Sequence, residues 1–151
     1  MRPVSATIVV KGRAVEAEQL WYDRTRWASW VEGFGHVLSL SDEWPLSGST
    51  LQWVSRPGGS GRNSEKVTRY EPRLGQTLET ENEKFTGVRK VIFEPGLEET
   101  RITLEVTLQP KYSLPPIERL LLRRRLGDSL QRTLRRFSVE LAAERQFGRR
   151  H

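Results

Sequence analysis

Few side chains in this sequence are of a type and placement to move a proton or hold an anion. His36 is the only internal histidine, since His151 is the last residue. An imidazole titrates near neutral pH and makes a natural general base, but no neighbour in the sequence is placed to orient His36. A surface or loop position is the simpler expectation. Arg123 is more specific. On a helical wheel it falls about 20° from Leu130, on the apolar side, and Arg119 does likewise. A guanidinium facing a cavity could hold a carboxylate or phenolate, or stabilise an enolate in a cyclase-like reaction. Against this, Gly127 could reset the helical phase, and an arginine stem can lie on apolar surface with its head in water.

Glu79, Glu81 and Glu83 recur every second residue, a spacing that fits either a metal site or a charged outer ladder. The basic residues around them favour the ladder. The chain has no cysteine, which excludes disulfides, thiol catalysis and thiolate zinc sites. With one internal histidine, a histidine-rich metal centre is excluded as well. No cofactor is expected.

The aromatic residues are a different resource. Five Trp, five Phe and three Tyr supply large apolar faces, and an indole N–H can hold a ligand oxygen. Trp27, Trp30, Trp53 and Phe137 are the candidates for a cavity wall; the alternative is that they fill the core. Thr80 and Asn82 share an inward parity with Leu78, and polar groups there must line hydrated space or find buried partners. A Tyr70 hydroxyl is a further candidate acid, although its parity conflicts with that of Val67.

These residues need a frame. Residues 5–11 are β-branched and read as a strand, ended by Gly12. Ala14 to Trp27 turns helical, with a second short helix from Ala28 to Glu32 ended by Gly33-Phe34-Gly35. Strands are then expected at 36–43, 49–56, 63–71, 76–85, 88–95 and 99–109, separated by Pro- and Gly-bearing turns, with Gly87 as one break. The short connections predict an antiparallel meander. Ile102, Leu104, Val106 and Leu108 share one face of the last strand, with Thr103, Glu105 and Thr107 on the other. A sheet with one dry face requires an apolar cover.

That cover is the C-terminal segment. After Pro115-Pro116, a helix start that wastes no N–H, a helix runs to about Arg145. Leu126, Leu130, Leu134, Phe137 and Leu141 form its stripe, while Arg125, Arg132, Arg135 and Arg136 face away. The fold class is therefore α+β: a curved antiparallel sheet of about seven strands wrapped around a long C-terminal helix. Residues 1–151 are expected to form one domain, a length sufficient for a real core.

The net charge of +6 is not spread evenly. Residues 111–151 hold 11 Lys/Arg against 4 Asp/Glu, and the remainder 14 against 15. Phosphate or anionic-membrane contact is one use of such a helix, but no aromatics interleave with the arginines to stack on bases. A solvated face is expected, with no nucleic-acid partner. No apolar run approaches the roughly 20 residues of a membrane span, and residues 1–5 lead into a strand with no signal-peptide core. The expectation is a cytoplasmic protein with no stable membrane insertion, as a monomer or dimer.

The order of elements resembles the START-like superfamily, also called helix-grip or birch-pollen-allergen-like, and within it the polyketide cyclase/dehydrase-like branch of small bacterial proteins. The resemblance is carried by Val15-Glu16-Ala17-Glu18-Gln19-Leu20-Trp21, Arg26-Trp27-Ala28-Ser29-Trp30, Val67-Thr68-Arg69-Tyr70-Glu71-Pro72, Thr100-Arg101-Ile102-Thr103 and the C-terminal helix. It implies an internal pocket, with Trp27 and Trp30 on the helices that close one end. Candidate lining residues are Trp27, Trp30, Trp53, Thr80, Asn82, Val106, Leu108, Arg123, Leu130 and Phe137. The leading functional expectation is binding or carriage of a small hydrophobic molecule such as a lipid, quinone or polyketide-like compound. A cyclase or dehydratase using Arg123, His36 or Tyr70, and an interaction module using the basic helix, are the alternatives.

Overall fold

The computed structural model describes residues 2–150; Met1 and His151, which belong to the expected 1–151 unit, lie outside the described residues. Seven strands form one antiparallel sheet in the order β1-β7-β6-β5-β4-β3-β2. They are β1 (Val4–Lys11), β2 (Phe34–Leu40), β3 (Thr50–Ser55), β4 (Arg62–Glu71), β5 (Gly75–Glu81), β6 (Phe85–Pro95) and β7 (Glu99–Pro110). Between β1 and β2 lie α1 (Ala14–Tyr22), a 3₁₀ turn (Arg24–Arg26) and α2 (Trp27–Trp30); α3 (Pro116–Arg150) closes the chain. The meander β2 to β7 follows sequence order, and β1 returns to pair with β7 from Val4↔Val106 to Lys11↔Glu99. This is the helix-grip arrangement.

Several boundaries differ from the sequence expectation: the strand expected at 36–43 is Phe34–Leu40, that expected at 88–95 begins at Phe85, and the last helix runs past Arg145 to Arg150. Three further differences have a local reason. The helix from Ala14 stops at Tyr22 instead of Trp27 because Asp23 Oδ1 accepts from the Thr25 N–H and hydroxyl at 3.0 and 2.6 Å, which caps a new turn. Consequently α2 begins at Trp27 and ends at Trp30, short of the expected Glu32. The strand expected over 76–85 ends at Glu81. Asn82 Oδ1 accepts from the Lys84 and Phe85 N–H groups, both at 2.9 Å, and so makes the β5–β6 turn itself. Gly87 is not a break. It pairs with Thr80 and Leu108 inside β6, where a Cβ would stand 2.3 Å from the Thr107 carbonyl oxygen.

The ladder slips between Phe34 and His36 and between Val37 and Ser39 in β2, and between Val67 and Arg69 in β4, and such slips bend a sheet. The β4 slip also resolves the parity conflict at Tyr70. With one extra residue in the strand, Tyr70 turns toward Tyr22, with ring centroids 5.7 Å apart. Leu130, Leu134, Phe137 and Leu141 of α3 are buried against Ala6, Val10, Phe93, Ile102, Leu104 and Val106 of the sheet, with Leu126 partly buried beside them. Each such large side chain contributes roughly 1.5–3 kcal/mol. Arg125, Arg132, Arg135 and Arg136 lie on the exposed side of α3. Among the described residues no helix is long and apolar enough to cross a membrane.

Candidate functional site

The strongly curved sheet does not close onto α3 along its whole length. Between its concave face, α2 and the middle of α3 lies a cavity of about 340 Å³. The sheet contributes Phe34, Leu51, Trp53, Glu65, Gln76, Arg89 and Leu104; α3 contributes Leu126, Ser129, Leu130 and Thr133. All five tryptophans of the chain, Trp21, Trp27, Trp30, Trp44 and Trp53, border this one space.

The aromatic walls are held by ring packing and by their own N–H groups. Trp21 lies 4.6 Å from Trp30, and both stand edge-on to Phe137 at 5.1 and 5.0 Å. Phe34 stacks on Trp53 at 5.6 Å. Trp27 Nε1–H donates to the Trp21 carbonyl at 2.8 Å, and Trp44 Nε1–H to the Tyr22 carbonyl at 3.0 Å. These two bonds tie the α1 end to α2 and to the β2–β3 connection. Trp30 Nε1 is buried with no hydrogen-bond partner among the described residues.

One patch of this wall is charged. Glu65 points inward from β4, and its side chain is only 1% exposed. Arg89 Nη2 of β6 lies 3.1 Å from Glu65 Oε1, and Trp53 Nε1–H donates to the same oxygen at 2.7 Å. The other carboxylate oxygen, Oε2, is buried and has no hydrogen-bond partner among the described residues. Gln76 is also inward, its amide donating to the Pro45 carbonyl at 3.1 Å.

The α2–α3 corner is pinned by Glu32. Its backbone N–H donates to Thr133 Oγ1 at 3.2 Å, and its carboxylate takes Arg132 Nε at 2.6 Å. Burial works to raise the Glu32 pKa, yet hydrogen bonds from Arg132 and Ser129 and the charges of Arg132 and Arg136 leave it below its ordinary value. Behind Trp44, the buried Tyr22 hydroxyl has no hydrogen-bond partner among the described residues. Burial first, then Tyr70 and Glu18, push its pKa well above the usual phenol value.

Of the residues singled out in the sequence, Trp27, Trp30, Trp53 and Leu130 border the cavity. The others are placed elsewhere. Phe137 is fully buried one layer behind, against Trp21 and Trp30. Val106 is core, and Leu108 packs against the core from β7. Thr80 neighbours Glu65 in the ladder without bordering the cavity. Asn82 serves the β5–β6 turn and donates to Asn63 Oδ1 at 3.1 Å. Arg123 is turned to the chain start: its guanidinium donates to the Arg2 carbonyl at 2.5 Å and more weakly to that of Pro3. The wheel put Arg123 on the apolar side, but the first turns of α3, residues 116–121, stand exposed off the sheet, so the stripe is buried only further along. Arg119 is exposed, as is His36 on the edge strand β2. Glu81 pairs with Lys111 at 2.9 Å on the outer face, and no acidic or histidine group among the described residues clusters as a metal site.

Sequence reasoning missed Glu65, Arg89 and Gln76. The signal was present. Glu65 shares the parity of Asn63 and Val67, and Arg89 that of Val91 and Phe93. A charge on the apolar face of each of two strands marks a buried pair.

Solved structures with this architecture include a conserved protein from Geobacillus kaustophilus (TM-score 0.75, 13% identity, covering 94% of this chain and 96% of that one). A START superfamily protein from Mycobacterium smegmatis matches with TM-score 0.74 and 14% identity over 93% of this chain and 97% of its own. The di-domain ARO/CYC StfQ from the steffimycin biosynthetic pathway matches with TM-score 0.75 and 18% identity over 95% of this chain, which spans about half (51%) of StfQ. At these identities the likeness is one of fold. Comparison with curated protein sequences finds no match. The profile of one sequence family matches residues 1–142, nearly the whole chain. The chain belongs to the family described as polyketide cyclase / dehydrase and lipid transport.

Proposed function

We propose that this protein binds and carries a small, largely hydrophobic molecule in the cavity between its sheet and α3. The observation that carries the reading is the convergence of all five tryptophans on one internal space of about 340 Å³. A protein needing aromatic residues only for stability would close them into a filled core. Small-molecule sites of this kind run from about 300 to 1,000 Å³. The space therefore fits a compact ring system or a single short chain better than a lipid with two long acyl chains.

A second reading, a cyclase or dehydratase acting on an aromatic or polyketide-like substrate, is favoured by one observation: a buried charged pair, Glu65 with Arg89, borders the cavity. Against it, the two groups engage each other, and neither His36 nor Arg123 reaches the space. The carrier reading accounts for the walls with fewer requirements.

Native mass spectrometry of the purified protein, compared with its denatured mass and followed by extraction, tests the reading. A non-covalent adduct of a small apolar compound is the expected result. A clean unliganded mass, together with no thermal shift against a library of aromatic and aliphatic compounds, would overturn it.

A further inference from the structure

We infer that Glu65, held by Arg89 and Trp53, makes the cavity select ligands that donate a hydrogen bond and reject those that carry a carboxylate. The inference rests on the carrier reading and names the ligand chemistry for it: an apolar ring body bearing a hydroxyl.

Glu65 Oε1 is used twice, by Arg89 Nη2 and by Trp53 Nε1–H. Oε2 is buried and has no hydrogen-bond partner among the described residues. An ionised oxygen left without a donor inside a protein is costly, and such atoms find a partner wherever one can reach them. Glu65 points from β4 onto the concave face of the sheet and borders the cavity. A ligand lying there meets Glu65 and can supply the O–H.

The same geometry settles the charge preference. Among the described residues Arg89 is the only Lys or Arg bordering the cavity, and its charge is already met by Glu65. The second acidic group on the wall is Glu32, and its partner Arg132 comes from the exposed side of α3. A carboxylate ligand would meet two acidic side chains and no free cation. A hydroxyl would meet an acceptor that lacks a donor. This reverses the expectation built on Arg123, in which a cavity guanidinium captures an anion.

Three probes of one shape, naphthalene, a naphthol and the corresponding naphthoate, separate the terms by calorimetry on the full chain. Naphthalene is the most apolar, so shape and hydrophobicity alone would make it the tightest of the three. The expected order puts naphthol first, by about tenfold over naphthalene, as a hydrogen bond to a charged acceptor provides, and naphthoate last. In a variant combining Glu65→Leu with Arg89→Met, an apolar pair of similar volume, the naphthol advantage should vanish while naphthalene still binds. Should that variant fail to melt cooperatively, Glu65→Gln keeps the shape and removes the charge. It should lower naphthol affinity several-fold and leave naphthalene within about twofold. A naphthoate that outbinds naphthol in the unmodified protein overturns the inference, as does a variant that folds and keeps the naphthol preference; in both cases the cavity would stand. Failure of all three probes to bind overturns the cavity reading itself.

Discussion

The Trp53 indole N–H donates to Glu65 Oε1 at 2.7 Å, from neighbouring strands whose Leu51↔Glu65 register places the donor one step along the sheet. The bond fixes an aromatic wall and a buried carboxylate with one contact. The second carboxylate oxygen has no donor among the described residues.

A buried hydroxyl without a partner is a stability reserve. Tyr22→Phe removes the unpartnered phenol O–H and keeps the ring contacts with Trp44, Tyr70 and Phe93. The expected gain in urea unfolding is about 1 kcal/mol. The pH dependence should change too. The Tyr22 pKa is raised in the folded state, so its contribution is fully present below the ordinary value of 10.0 and is lost as pH rises beyond it. The variant should therefore lose less stability above pH 10 than the parent. Equal alkaline limbs would show that Tyr22 is not the group involved.

Acid should loosen the α2–α3 corner. The Glu32 pKa is depressed in the folded state, so its contribution is present above the ordinary carboxylate value of 4.5 and is lost as pH falls through the lower folded value. Glu32→Gln should lower the melting temperature at neutral pH and flatten the acid limb of the stability curve. Melts of both proteins across the acid range check this, and parallel curves would refute it.

Phe137 is fully buried against Trp21 and Trp30, behind the cavity wall. Phe137→Ala is expected to cost about 3–5 kcal/mol, the range for emptying a packed aromatic site. Denaturant unfolding measures it. A loss below about 1 kcal/mol would mean that the wall has collapsed inward and that the site was loosely packed.

Arg123 ties α3 to the chain start through the carbonyls of Arg2 and Pro3. Arg123→Ala should cost roughly 0.5–1 kcal/mol and leave binding of a naphthol unchanged. A tenfold drop in that affinity would return Arg123 to the binding site.

The architecture was legible because its periodicities are long and consistent. The alternation of Ile102, Leu104, Val106 and Leu108, and the stripe from Leu126 to Leu141, each point one way over many residues. What was not legible turns on single residues. Asp23 ends α1 through a local cap, Asn82 takes the turn that Gly87 was expected to make, and the β4 slip re-aims Tyr70. The helical wheel misplaced Arg123 because periodicity records which side of a helix a residue lies on, and not whether the sheet extends beneath it. The tryptophans on the wall were partly visible from their elements. The Glu65–Arg89 pair needed strand parity to be read for charges as well as for apolar groups.

A carried ligand enters the space among the five tryptophans. Their indole N–H signals in a nitrogen–proton correlation spectrum report on it directly, during titration with a naphthol. Saturable shifts are expected at one ligand per chain, largest for Trp30 and Trp53, with the outer-face amides of Lys66 and Glu79 unmoved. Indole signals that stay fixed through the titration, or shifts that grow linearly and track outer-face amides instead, would contradict it.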